Sequence, residues 1–264
     1  DFDGTLRRSE GGVSQASLDA VEAYEKEGGV FALCTGRMPF SILPYARQLG
    51  LKGFVAAFQG AVIEDIATEK RVKDGRIPQE DAFKICTFLE SHGWHIHVYD
   101  GDVLYVNMDD DFRAYYEKTC NVRGVLTPQN ISQTVREKNI SPHKIIVMCP
   151  AWQRDQVLSE TVKELGDRFY VTSSTDNLVE IVRKGCDKGG AIRFIAEHYG
   201  IPLSQTIAIG DNFNDLPMLQ VAGLGVAVEN GEEALKREAN FVTRSCDEDG
   251  VAYVIRKFGL GENL

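Results

Sequence analysis

Four short clusters hold the residues that could do chemistry. The first is Asp1-Phe2-Asp3-Gly4-Thr5-Leu6. In an extended segment Asp1 and Asp3 would face the same side, and Gly4 would allow a sharp exit. Carboxylates that close repel unless a cation or a shared proton relieves them, so the pair suggests metal or proton chemistry; a solvated Asx turn is the alternative. The strongest cluster is Gly210-Asp211-Asn212-Phe213-Asn214-Asp215, after the apolar run Thr206–Ile209. Asp211 and Asp215 are four apart and can face one ligand. Oxygen donors of this kind suit Mg²⁺, which takes one or two carboxylates, waters and substrate phosphate. A helix N-cap would explain one of these acids, not the whole set.

Two further clusters suit an anion. Thr35-Gly36-Arg37 follows the apolar run Val30–Cys34, so a hydroxyl and free backbone N–H groups would stand at a strand-to-helix junction. Such turns are also common without function, and Arg37 could equally touch a substrate or pair with a core carboxylate. Lys188 precedes Gly189-Gly190 at a helix start, where the macrodipole favours anions; a plain exposed lysine is the alternative. All four clusters lie where a strand ends or a helix begins, the edge at which open α/β sheets bind ligands.

The elements that must position them alternate. Ser14 is placed to cap a helix through Tyr24 that stops at Gly28-Gly29, before a strand at Val30–Cys34. A helix from Pro39 to Leu49 and a strand at Phe54–Phe58 follow. From about Ile77 the texture becomes α+β: helix Gln79–Ser91, strands Trp94–Tyr99 and Val103–Asn107 about an Asp100-Gly101-Asp102 turn, and helix Asp111–Thr119. Strand Lys144–Cys149, helix Gln153–Leu165 and strands Phe169–Ser173 and Leu178–Arg183 complete that region. The α/β rhythm returns at Lys188 with a helix to Tyr199, strands Thr206–Ile209 and Leu224–Val228, and a last helix near Val251–Phe258. The pattern predicts an α/β protein: a Rossmann-like, doubly wound parallel-sheet core, residues 1–76 and 185–264, interrupted by an inserted unit at 77–184. The crossings near Arg76 and Gly185 are the expected hinges.

Composition bounds the function. The chain has 264 residues, with 29 Lys and Arg against 39 Asp and Glu, for a net charge of −10. That balance argues against a dedicated nucleic-acid binder, and no apolar run reaches the ~18 residues of a membrane span. Six cysteines show no C-x-x-C spacing, which fits free thiols in a reducing cytoplasm and not a zinc site. The start at Asp1, without Met and at a strand-to-loop transition, sets the expectation that residues precede it. Three features are discounted: the same-face pair His95 and His97, which lacks a third ligand, and the runs Asp109–Asp111 and Asp247–Asp249, expected to be solvated helix approaches.

The order of the four clusters resembles the haloacid dehalogenase (HAD) superfamily of phosphohydrolases. DFDGTL matches its first motif, CTGR the second, Lys188 the third and GDNFND the fourth. The insertion between the second and third motifs, the lead-in NLVEIVRKGCDKGGAI and the later Val228-Glu229-Asn230-Gly231 are similar to the Cof-type branch with a class IIB cap. One departure is Phe58-Gln59-Gly60-Ala61, where that branch more usually has Asn-Gly-Ala. The resemblance implies Asp1 as nucleophile and Asp3 as general acid/base, with the Asp3 backbone carbonyl also on Mg²⁺. It implies that Thr35, Gly36, Arg37, Lys188 and Asn214 contact substrate, Thr35 and Lys188 also serving catalysis. Asp1, Asp211 and Asp215 would complete the metal site, Asp215 through bound water or by orienting Lys188. The expected activity is Mg²⁺-dependent hydrolysis of a small phosphorylated metabolite, such as a sugar phosphate, by a monomer or small homo-oligomer. A phosphomutase using the same phosphoenzyme and a non-catalytic metabolite-binding module are the alternatives.

Overall fold

In the computed structural model, which describes residues 1–264, Ser14 accepts a hydrogen bond from the Ser17 amide and starts α1 (Gln15–Lys26). The apolar run that follows forms β1 (Ala32–Cys34). Next come α2 (Pro39–Gln48), with proline at its first position, and the fully buried β2 (Phe54–Ala57). β1 and β2 pair in parallel, Leu33 opposite Val55. Two strands that the sequence pattern does not reveal extend this sheet: β3 (Val62–Asp65), antiparallel to β2, and β4 (Arg71–Asp74).

The chain then builds α3 (Gln79–Ser91), β5 (His95–Asp100), β6 (Val103–Val106), α4 (Asp111–Cys120), β7 (Gly124–Leu126) and α5 (Ile131–Glu137). β8 (Lys144–Met148), α6 (Arg154–Leu165), β9 (Phe169–Thr175) and β10 (Leu178–Arg183) follow. The six strands form one sheet in the order β7-β6-β5-β8-β10-β9, and β5 and β6 meet as the expected hairpin, Asp100 opposite Val103. Strand alternation gives its two faces different characters. Ile96, Val98, Ile145, Val147, Val179 and Ile181 enter an apolar core with Ile85, Leu89, Ile131 and Val135 of α3 and α5. The alternate positions His95, His97, Tyr99, Lys144 and Glu180 are polar yet buried. They pair among themselves: Lys144 Nζ lies 2.9 Å from Glu180, and His95 Nε2 lies 2.8 Å from His97 Nε2. Asp110 caps α4 through the Arg113 amide and also holds His95 Nδ1 at 2.9 Å, so it is more than a solvated approach.

The α/β rhythm resumes with α7 (Lys188–Tyr199), capped by Asp187 and closed by Gly200 in the left-handed region. β11 (Ile207–Gly210), α8 (Leu216–Val221), β12 (Leu224–Val228), α9 (Glu233–Glu238), β13 (Phe241–Thr243) and α10 (Gly250–Val254) follow. β11, β12 and β13 form a parallel three-stranded sheet. An apolar cavity of about 180 Å³ is lined by residues of β1 and β11 together with Leu6, Ile195, Val254 and Ile255. By internal contacts the chain divides into two units, Asp1–Lys73 with Asp187–Leu264, and Asp74–Cys186. No helix is long and apolar enough to cross a membrane.

Candidate active site

The opening residues form a turn and not an extended strand. Phe2, buried in the apolar core, accepts hydrogen bonds through its carbonyl from the amides of Thr5 and Arg7 at 3.3 and 2.8 Å. The expectation that strand alternation would aim Asp1 and Asp3 at one point is therefore corrected: their carboxylates take different partners. Asp1 meets the ammonium of Lys188, whose Nζ lies 2.5 Å from Asp1 Oδ1 and 2.5 Å from Asp215 Oδ1.

Lys188 stands first in α7 and is only 1% exposed, so it is no plain surface lysine. Burial alone would lower its ammonium pKa, but the neighbouring charges, Asp215 foremost, outweigh that and hold it above its ordinary value. Asp215 is fully buried, and its Oδ2 accepts from the amides of Asp211 and Asn212, both at 3.0 Å. Asp211 accepts from Thr5 Oγ1 at 2.9 Å. Burial, reinforced by the charge of Asp215, pushes its carboxyl up to about 6. Gly4 admits this approach: its φ is +76°, and a Cβ there would lie 2.6 Å from Asp211 Oδ2. The ligand oxygens of Asp1, Asp211 and Asp215 all lie within 4.8 Å of one another. Three carboxylates against one lysine leave an excess of negative charge, and an all-oxygen donor set at this spacing fits a hard divalent cation.

Asp3 stands apart from that cluster. Its carboxylate is held by the Arg37 fork, Nε to Oδ2 at 2.6 Å and Nη2 to Oδ1 at 2.7 Å, with Arg7 Nη1 at 3.4 Å from Oδ1. In this structure Arg37 pairs with a carboxylate, that of the half-exposed Asp3. Thr35 is buried at the end of β1, and its hydroxyl accepts from the Arg37 amide at 3.1 Å, tightening the junction. Asn214, also buried, donates from Nδ2 to Gln59 Oε1 at 3.0 Å. Cys34, just before Thr35, has its thiol pushed up to about 11, by burial above all, and is no nucleophile.

Sequence reasoning passed over two contributors. Thr5 lies inside the quoted first motif and could have been singled out as a hydroxyl near two acids. Asn230, inside the quoted Val228–Gly231 segment but given no role there, donates to the Gly4 carbonyl at 2.8 Å and accepts from the Cys246 amide at 2.8 Å. The acidic run near Cys246 is likewise structural: Asp247 accepts from Ser9 and Asp249 pairs with Arg8 at 2.8 Å.

Strand ends that gather carboxylates around a buried lysine, in a Rossmann-like α/β unit, define a class of enzyme that handles phosphoryl groups by positioning and charge. The chain belongs to the haloacid dehalogenase-like hydrolases, whose family profile matches residues 1–255, and it is a phosphatase. A Bacillus subtilis 5-amino-6-(5-phospho-D-ribitylamino)uracil phosphatase is 30% identical, covering 99% of this chain and 97% of its own. The phosphatase YwpJ of Bacillus subtilis is 28% identical over 97% of each chain. The solved structure of a haloacid dehalogenase-like hydrolase from Bacteroides thetaiotaomicron is 27% identical, with a TM-score of 0.79 over 97% of both chains. The fold is shared with the HAD subclass IIB sugar phosphatase BT4131, at 23% identity and a TM-score of 0.83, over 98% of this chain and 97% of that one.

Proposed function

We propose that this phosphatase hydrolyses a small phosphorylated metabolite, such as a sugar phosphate, with Mg²⁺ and through a phosphoenzyme on Asp1. The observation that carries the reading is Lys188, buried and 2.5 Å from both Asp1 and Asp215, beside a third carboxylate on Asp211. A carboxylate attacking a phosphate dianion faces like-charge repulsion, and the site must supply positive charge to overcome it. Asp1, Asp211, Asp215 and the Asp3 carbonyl would hold Mg²⁺, which would supply charge stabilisation at the transferring phosphoryl group.

The chain's own residues then divide the work. An Asp1 oxygen attacks phosphorus, the P–O ester bond breaks, and a protonated Asp3 gives its proton to the leaving alkoxide. Asp3, now a carboxylate, takes a proton from water as that water attacks phosphorus, and the P–O bond to Asp1 breaks to free phosphate. For both tasks Asp3 must leave the Arg37 fork that holds it in this structure. The Thr35-Gly36-Arg37 junction and Asn214 would bind phosphoryl oxygens, and Lys188 would neutralise them. A relative that removes phosphate from a phosphoribityl compound supports a small phosphorylated substrate class. Six free cysteines support a reducing cytoplasmic location. Residues 77–184 would act as the cap that closes over substrate, moving about the two chain crossings.

Phosphate release from a panel of phosphomonoesters, with and without Mg²⁺, tests the reading. Turnover should vanish on exhaustive chelation and return with Mg²⁺; full activity in the chelated enzyme would end the metal assignment.

A further inference from the structure

The loop after β2 is built in a backbone conformation that its residues disfavour. Phe58 and Gln59 are consecutive non-glycine residues with φ of 49° and 62°. Two hydrogen bonds impose it: the Phe58 amide donates to the Arg37 carbonyl and the Gln59 amide to the Thr35 carbonyl, each at 2.9 Å. The turn carries the Gln59 side chain inward, where it is wholly buried. Its Nε2 would lie 2.7 Å from a Cβ on Gly36, so the glycine of the cradle leaves the space that Gln59 fills. Its Oε1 accepts from Asn214 Nδ2 at 3.0 Å. The next residue, Gly60, has φ +100° and rests against α7, with the Asp187 carbonyl 2.7 Å from where a Cβ would be. One side chain thus spans the junction Thr35–Arg37 and the Asn214 loop, on a turn seated against the helix that carries Lys188.

We propose that Gln59 is a positioning residue that sets the spacing between the Thr35-Gly36-Arg37 cradle and Asn214, and through it the affinity for the phosphoryl group. The inference rests on the phosphohydrolase reading of this site. A primary carboxamide suits the role because it offers an acceptor to Asn214 while presenting a donor, with no negative charge, at the cradle. Asparagine tolerates the left-handed backbone but is one methylene shorter, so at the spacing of this chain it should lose one of the two contacts that Gln59 makes.

Gln59→Asn therefore separates reach from folding. The readouts are the Kd for inorganic phosphate in Mg²⁺ by calorimetry, kcat and KM on an aryl phosphate, the melting temperature, and exchange of the Asn214 side-chain amide protons by NMR. Phosphate Kd and KM should rise about tenfold, the effect of one lost buried hydrogen bond, with kcat much less affected. Melting should shift by only a few degrees, and the Asn214 amide protons should exchange slowly in the wild type and fast in the variant. Asn214→Ala, which also removes the proposed phosphoryl contact, should weaken phosphate at least as much, and the double variant should be little worse than Asn214→Ala alone. Additive losses in the double variant, or an unchanged phosphate Kd in Gln59→Asn, would overturn the proposal. A wild-type chain that binds phosphate but hydrolyses no monoester would defeat the hydrolase reading while the binding cycle still decides the role of Gln59. A chain with no phosphate affinity defeats both.

Discussion

At the scale of single residues, Asp1 and Asp3 are two like side chains with different partners, and the proposed mechanism gives them different work. Asp1 sits against a buried ammonium among carboxylates, whereas Asp3 is partly exposed and forked by Arg37. Asp1→Asn should form no covalent phosphoenzyme, while Asp3→Asn should retain the nucleophile and lose roughly 10²–10⁴ in turnover, the range for general acid/base catalysis. The loss should shrink for aryl phosphates, whose leaving groups need less protonation. Rapid quench with labelled substrate and peptide mapping decides this; label anywhere but Asp1 refutes the assignment. Lys188 also bears on stability. Lys188→Met leaves the buried Asp1 and Asp215 carboxylates without their cation, and metal-free urea unfolding should show a loss of about 3–5 kcal/mol. A loss below about 1 kcal/mol would mean that the carboxylates neutralise themselves by taking up protons.

At the scale of elements, the site depends on how closely α7 and α8 approach. A Cβ on Gly189 would lie 2.5 Å from the Pro217 carbonyl, a backbone atom with little freedom to retreat. Gly189→Ala should therefore cost about 1–3 kcal/mol by overpacking and lower activity by moving Lys188 relative to Asp215. An unchanged melting temperature would show that the helices separate freely. In the six-stranded sheet, His97 has its pKa pushed well below its ordinary value, first by burial and then by the charges of His95, Lys144 and Arg113. Between that depressed value and about pH 6.5 the unfolded chain binds a proton that the native chain does not. Stability should then fall as pH drops, by up to about 1.4 kcal/mol per pH unit. His97→Gln removes that proton and should flatten the pH dependence of urea unfolding below pH 6.5; an identical slope would contradict the assignment.

At the scale of the whole molecule, the unit Asp74–Cys186 has its own apolar core, drawn from α3, α5 and four of its strands. Its polar groups also close internally: His143 Nε2 meets Asp74 at 2.5 Å, and Arg76 meets Asp100 at 2.7 Å. Expressed alone, this segment should fold, with a single cooperative unfolding transition and a defined near-ultraviolet circular dichroism spectrum. A fragment with native-like helix content but no cooperative transition would show that its core needs the rest of the chain.

The sequence by itself determined what is local. Continuous apolar runs marked β1, β2, β8 and β11, because strands buried on both faces need no polar alternation. Ser14 and Gly200 marked helix ends, because backbone groups left unpaired there select particular side chains and dihedral angles. The proposed site residues Asp1, Asp3, Thr35, Lys188 and Asp211 likewise stand in short motifs, legible because each motif spans only a few neighbouring positions. β3, β4, β7 and β13 leave no clear mark in the sequence because they are short and owe their pairing to neighbouring strands and not to an alternating pattern. The structure set the unit boundaries at 73/74 and 186/187, a few residues outside the 76/77 and 184/185 read from texture, because contacts and not composition end a unit. Only the tertiary structure decided which charges meet. It turned Asp3 toward Arg37, buried Lys188 between Asp1 and Asp215, and joined Gln59 to Asn214 across 155 positions of chain. Such pairings depend on distances that folding creates, and no pattern confined to a few neighbouring residues contains them.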